Sequence, residues 1–228
     1  AGADWAFFAK NGTDVTTYAV MVARATTGRR RVIAIEGGYH GTAPWMQGAG
    51  HHGVLEEDAA LVFRIPWNDV AALERVLDDW GHDIAAFIAT PYHHPIFADS
   101  ALPAEGYWAR VEQLLHKHGV VLISDDVRCG FRLDMRGSHA YFGYHPDLVC
   151  FSKAIANVHP LSALVGTDAL RTAAAKVFHS GSFWFSAAPM AAALACLQEL
   201  QRLDGPAAIM ALGRKLTDGM VAIARGHG

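Results

Sequence analysis

The chain has 228 residues, 52% of them hydrophobic, and 19 basic against 22 acidic residues leave a net charge of -3. That hydrophobic content suffices for the core of one large domain, or one and a fraction, and the charge balance offers nucleic acid no basic footprint; the one basic run, Arg29-Arg30-Arg31, sits at a helix end. No apolar run reaches bilayer length and no charged, apolar, small-residue leader opens the sequence, so a cytoplasmic protein without a membrane partner is expected.

In chain order, the first periodic segment is TDVTTYAVMVARATTG. It reads as a helix from about Asp14, with Val15, Ala19, Val22 and Ala23 on one face and Gly28 at its end. RVIAI follows as a buried strand. NDVAALERVLDDWG is a second helix, capped by Asn68 or Asp69, striped by Val70, Leu73, Val76, Leu77 and Trp80, and stopped by Gly81. IAAFIAT is the next strand. GYWARVEQLLHKHG is a third helix, with Trp108, Val111, Leu114 and Leu115 on its face, and VVLIS and LVCF are further continuous apolar strands. Cys129, Cys150 and Cys196 lack C-x-x-C spacing and read as packed thiols rather than disulfide or zinc ligands.

This alternation predicts an α/β domain with a mostly parallel sheet, whose ligand lies at the carboxyl ends of the strands. Polar groups gather at those ends. Asp125 and Asp126 follow one strand, and Ser152 and Lys153 another. Gly12 and Thr13 precede the first helix, where free N–H groups and the helix dipole suit a phosphate; GGYHG offers flexible backbone around Tyr39 and His40. A lysine beside a buried strand costs free energy unless paired or neutralised, and a desolvated amine is the kind that forms imines. A phosphate cradle, an aromatic face, a carboxylate and a lysine are the parts needed to hold a phosphorylated aromatic aldehyde, and pyridoxal phosphate is that molecule. Each part also has an ordinary role as cap, packed aromatic or loop ligand.

Five stretches, FFAKNGTDVTTYAVMVARATTGR, EGGYHG, VVLISDDVRCGFR, HPDLVCFSKAIANVHPLSALVG and GSFWFSAAPMAAALACL, stand in the order and spacing found in class III aminotransferases. From about Phe7 to its end the chain resembles that family, and within it most closely the glutamate-1-semialdehyde 2,1-aminomutase branch. The resemblance implies a fold-type I enzyme that depends on pyridoxal 5'-phosphate, with a large domain over 1-204 and the beginning of a C-terminal small domain over 205-228. It gives Lys153 the position of the lysine that forms the internal aldimine and then moves the proton, and Asp125 that of the carboxylate paired with the pyridine nitrogen. By the same resemblance Val127 packs on one ring face and Tyr39 on the other. Gly12 and Thr13 form the phosphate loop, with Asn11 replacing the usual Ser. His40 and Asp126 lie close by, Asp126 standing where Glu is common. Ser182 falls where the family has a Thr reaching the phosphate of the neighbouring subunit's cofactor, which implies a homodimer with a shared site.

The departures bear on substrate. Thr90-Pro91 stands where the family often has Glu-Pro, so glutamate-1-semialdehyde itself is not assigned; Val158 replaces a common Gly in ANVHP. The chain is much shorter than family members and reads as a fragment. Its histidines include the adjacent pairs His51-His52 and His93-His94, whose neighbouring side chains diverge, so no metal site is expected. Thr90, His93 and His94 read instead as substrate-side residues near the pocket mouth. Three functions follow: transfer of an amino group from a small-molecule donor to a keto acid or aldehyde acceptor, an intramolecular aminomutase or amino acid epimerase, and a catalytically silent homologue. Retention of Lys153, Asp125, Tyr39 and the phosphate loop together weighs against the third.

Overall fold

The computed structural model describes residues 2-48, 50-95 and 97-226. Strand β1 (Trp5–Ala9) leads into helix α1 (Gly12–Thr27), then β2 (Arg31–Ile35), a short α2 (Glu56–Ala59), β3 (Val62–Ile65), α3 (Val70–Trp80) and β4 (Ile84–Ala89). After these come α4 (Tyr107–His118), β5 (Val121–Asp125), α5 (Ser138–Phe142), β6 (Leu148–Phe151), β7 (Ser162–Gly166), α6 (Asp168–Lys176), α7 (Ala187–Arg202) and α8 (Gly205–Gly226). The strands form one seven-stranded sheet in the order β1-β7-β6-β5-β4-β2-β3. Pairings from β3 to β6 are parallel, whereas β7 runs antiparallel to both β6 and β1. The predicted mostly parallel α/β architecture is the one found.

Strand alternation divides the core. Val32, Ala34, Ala86, Ile88 and Ile123 point to the face covered by α1, where Val15, Ala19, Val22 and Ala23 are fully buried. Ile33, Phe87 and Leu122, one residue out of step, point to the face covered by α3 and α4 and meet Leu73, Leu77, Trp108, Val111, Leu114 and Leu115. With both faces covered, the central strands are apolar at every position, which is why they read as continuous runs. Each fully buried aliphatic side chain contributes roughly 1.5–3 kcal/mol of transfer free energy.

Local chemistry sets the helix ends, and here the structure revises two expectations and decides between the two candidates for the α3 cap. Helix α1 begins at Gly12 rather than near Asp14, because Asn11 is its N-cap: Asn11 Oδ1 accepts from Asp14 N at 3.2 Å, and Asp14 Oδ2 accepts from Asn11 N at 3.0 Å. Gly28 ends it at φ 69°, as glycine readily does. In α3 the cap is Asp69, whose Oδ1 accepts from Ala72 N at 2.8 Å; Asn68 instead ties the turn to the 102–104 segment. Trp80 is not a core residue of α3. It is 41% exposed, and the Arg31 guanidinium lies 4.7 Å from its ring centroid, a cation–π contact at the sheet edge.

The basic run is consumed structurally. Arg29 donates to the carbonyls of Ile84, His118 and Gly119, and Arg30 and Arg31 both pair with Asp83. All three cysteines are free thiols. Among the described residues no helix is long and apolar enough to cross a membrane.

Candidate active site

The carboxyl ends of β5 and β6, the first turn of α1 and the loop after β2 enclose a cavity of about 650 Å³. It is lined by Gly12, Thr13, Tyr39, His40, Thr90, His94, Asp125, Val127 and Lys153 among the residues singled out in the sequence. This is where the crevice of an open α/β sheet lies. A second cavity, about 590 Å³, opens at the opposite end of β5 beside Glu112, His116 and Asp147, away from the strand ends that carry the polar groups.

Strand alternation separates the two aspartates. Asp125 faces the cavity, 4% exposed; its Oδ2 lies 2.7 Å from His40 Nδ1, and its Oδ1 accepts from Val127 N at 3.2 Å. Both oxygens are therefore oriented before any ligand arrives. Asp126 faces the other way, fully buried, and accepts from Ser138 N at 2.7 Å and Ser138 Oγ at 2.6 Å. Burial pushes its carboxyl up to about 7, against the lowering effect of those two bonds. His40 is 3% exposed, and its Nε2 has no hydrogen-bond partner among the described residues.

The loop after β2 is pinned to α1. Thr16 Oγ1 donates to His40 O at 2.6 Å, and Thr42 N donates to Thr13 Oγ1 at 3.1 Å. Gly41, at φ 120°, lies so close that a Cβ there would meet Thr13 Cα at 3.0 Å, so only glycine fits. Gly12 is more mildly constrained from the other side, where a Cβ would stand 3.0 Å from Val127 Cγ1 and that side chain would have to shift. The phosphate-loop candidates Gly12 and Thr13 are thus first-turn residues of α1, and their N–H groups carry no partner among the described residues.

Lys153 departs from expectation in one respect. It follows β6 as predicted, but its side chain is exposed in the cavity rather than desolvated, and it has no carboxylate partner within 4 Å among the described residues. This chain alone does not withdraw the amine from water. Its backbone is unusual, at φ 44°, in the left-handed region that a non-glycine residue enters at a cost.

Two of the predicted site residues lie elsewhere. His93 does not line the cavity: its backbone pairs with Ala101 and its ring stacks on Trp67 at 5.7 Å, which carries it off the pocket wall. Ser182 is exposed in the 177–186 loop and also lies outside the cavity of its own chain. Thr90 and His94 do line it. Thr90 Oγ1 donates to Tyr92 O at 2.7 Å, a local bond that leaves its oxygen available as an acceptor. Arg128 was not singled out in the sequence, although it lines the wall two residues beyond Asp126; a basic residue so soon after a strand-end carboxylate is the signal that could have found it. Among the described residues no group of three or more His, Cys, Asp or Glu is disposed to hold a metal ion.

The cavity passes a test for a phosphorylated pyridine aldehyde on its own features. It has unpartnered N–H groups at a helix N-terminus, a buried carboxylate held by two donors, an aromatic wall and a free amine, in a volume suited to a small cofactor.

Comparisons with known proteins point the same way. The sequence model of the class-III aminotransferases matches residues 1–227. The chain is 40% identical, over 227 residues, to an aminopentol aminotransferase of Sphingopyxis macrogoltabida, covering 99% of this chain and 53% of that protein. It is 33% identical to glutamate-1-semialdehyde 2,1-aminomutase of Halobacterium salinarum, over 96% of this chain and 52% of that one. Among solved structures, the PLP internal aldimine form of the FumI protein of Sphingopyxis sp. MTA144 superposes with a TM-score of 0.94 at 40% identity, covering 99% of this chain and 54% of that chain. The chain spans about half the length of the curated relatives it matches.

Proposed function

We propose, from the premise that this chain belongs to the class-III aminotransferase family, that the whole protein binds pyridoxal 5'-phosphate here and transfers an amino group from an amino acid or amine to a keto acid or aldehyde. The observation that carries the reading is the meeting of Lys153, the Asp125–His40 pair and the first turn of α1 in one cavity, from four distant parts of the sequence. When bound, the cofactor supplies an electrophilic aldehyde and a ring that accepts electrons from the carbon losing its proton.

The chain's own residues divide the remaining work. The free N–H groups of Gly12 and Thr13, with the positive end of the α1 dipole, hold the phosphate. Val127 and Tyr39, which line the cavity, would flank the ring. Asp125, with its two oxygens already fixed by His40 and Val127 N, would accept from the ring N–H. Lys153 Nζ, which has no carboxylate partner among the described residues, would anchor the cofactor and could carry the proton at the substrate carbon. The domain boundary belongs to the same reading: 1-204 is the cofactor-binding domain, and α8 begins a small domain at Gly205.

The test is the half-reaction of the full-length protein with pyridoxal phosphate and single amino donors, without a keto acceptor. Stoichiometric appearance of pyridoxamine phosphate with the keto product is the expected result. Isomerised substrate without net conversion would transfer the assignment to an aminomutase or epimerase, and neither binding nor conversion to the silent homologue.

The reading includes a homodimer with a shared site. Ser182 is exposed and outside its own cavity, and its loop carries Phe178, Phe183 and Phe185 exposed at 90%, 79% and 69%. Such a patch suits a protein surface. Ser182→Ala is expected to weaken pyridoxal phosphate binding by about tenfold, the value of one lost hydrogen bond to a charged group. Sedimentation should show a dimer; a monomer, or unchanged affinity in the variant, would remove the shared site.

A further inference from the structure

The turn that carries Lys153 is held in an unfavourable shape. Lys153 at φ 44° and Asn157 at φ 51° both lie in the left-handed region, with Ser152 extended before them and one turn of tight helix over Lys153–Ile155. Asparagine enters that region at little cost because its short polar side chain bonds locally. Lysine has no such compensation, so the strain sits on the residue that reaches into the cavity. Strain of this kind persists only where the surroundings over-determine the backbone.

Two sets of contacts do so here, both from α7. The first is apolar: Ile155 and Ala156 are buried in one cluster with Ala193, against which Met190, Leu197 and Leu200 pack. The second is polar. Cys196 Sγ donates to Ala154 O at 3.4 Å, and Asn157 Nδ2 donates to Cys196 Sγ at 3.2 Å. Ala154 is buried and its carbonyl has no backbone donor among the described residues, so the thiol answers an acceptor that would otherwise be stranded. A thiol has one hydrogen. With that hydrogen on Ala154 O, the sulfur meets Asn157 only as an acceptor, which fixes the asparagine amide with its nitrogen toward α7. One side chain thus ties the residue next to Lys153 and the residue that ends the turn to a single point on a helix.

We propose that Cys196 and Asn157 are positioning residues for Lys153, the bridge through the sulfur maintaining the left-handed backbone that aims Nζ into the cavity. Neither side chain lines the cavity. Relaxation of Lys153 to an ordinary helical or turn φ would rotate its Cα–Cβ bond about the N–Cα axis by about 100°, which turns the amine off its present course. The proposal rests on the reading of this cavity as the amino-transfer site with Lys153 as its amine.

The test uses two readouts on the full-length protein: the rate at which a borohydride-reducible pyridoxal phosphate adduct forms on Lys153, and hydrogen exchange of the 152–158 segment in the cofactor-free protein. Cys196→Val keeps an apolar side chain of similar size and removes the bridge, and Asn157→Gly keeps the left-handed backbone and removes the amide. Each is expected to slow adduct formation by about three- to tenfold, the scale of one or two weak hydrogen bonds, and to speed exchange of 152–158 by a similar factor. In turnover the loss should fall on kcat, with KM for the amino donor within about twofold, because the donor's binding groups are untouched. Cys196→Ser, whose hydroxyl also donates and accepts, should recover part of the loss. Adduct formation within about twofold of wild type in both variants overturns the proposal. So does faster exchange spread evenly over α7 and the strands, which would make Cys196 a packing residue only. Failure of the functional reading is separately visible as no adduct on Lys153 in the wild type. Exchange in the cofactor-free protein then still decides whether the sulfur holds the turn.

Discussion

Lys153→Ala in the full-length protein abolishes covalent capture of pyridoxal phosphate and lowers turnover by about 10⁴-fold or more, the scale on which a nucleophilic amine and a proton carrier act together. Lys153 is the only lysine lining the cavity among the described residues. The fold should tolerate the change. The side chain makes no hydrogen bond or ion pair within the described residues, and alanine keeps the Cβ that makes φ 44° costly, so the strain is the same in both proteins. Stability is therefore expected to move by less than about 0.5 kcal/mol, as at other surface positions. The measurement is borohydride reduction followed by peptide mass spectrometry, with urea unfolding as the control for folding. A reducible adduct that persists at another lysine would displace the assignment, and near-normal turnover without an adduct would remove Lys153 from the chemistry.

What could be read from the sequence follows from how each element is buried. The strands β2, β4, β5 and β6 stand between covered faces, so every position is apolar and the run is unmistakable. Three strands escaped that reading. β3 has three half-buried positions at the edge, β1 is half-exposed at the other edge, and β7 is built from Ser162, Ala163, Leu164, Val165 and Gly166, which carry no strong strand signal. The strand ends placed Asp125, Asp126 and Lys153 correctly along the chain, because a residue's place after a run of known length needs no tertiary information. Exposure is different. The solvent access of Lys153, the stacking of His93 on Trp67 and the edge position of Trp80 depend on what lies across space. Arg128 illustrates the same limit from the other direction: its neighbour His94 is 34 residues away, and only the fold makes them a pair.

Asp126 is expected to make the protein less stable as pH rises from about 4 to about 7. Its carboxyl is pushed up to about 7 by burial, whereas an unfolded aspartate titrates near 3.9. In that window the native state binds more protons than the unfolded chain, so the slope of unfolding free energy with pH is negative. The stabilisation is complete below about pH 4 and is lost as the pH passes through about 7, a total of roughly 4 kcal/mol for a shift of about three units. The bonding geometry accommodates the protonated acid. Ser138 N–H can only donate, which makes Asp126 Oδ2 an acceptor, and a proton on Oδ1 can be given to Ser138 Oγ, 2.6 Å away. Asparagine reproduces this pattern, with its carbonyl accepting from Ser138 N and its amide donating to Ser138 Oγ. Asp126→Asn should accordingly fold with a flatter stability profile and be more stable than the wild type at pH 7.5. Asp126→Ala should lose about 1–3 kcal/mol at every pH, because it strands the buried Ser138 N–H. Urea unfolding of the three proteins at pH 4.5 and 7.5 checks this, the difference between wild type and asparagine variant cancelling other titrating groups. Parallel profiles for those two would mean that Asp126 holds no proton in the folded protein, and that the Ser138 bonds outweigh burial at the end of the strand that positions Asp125.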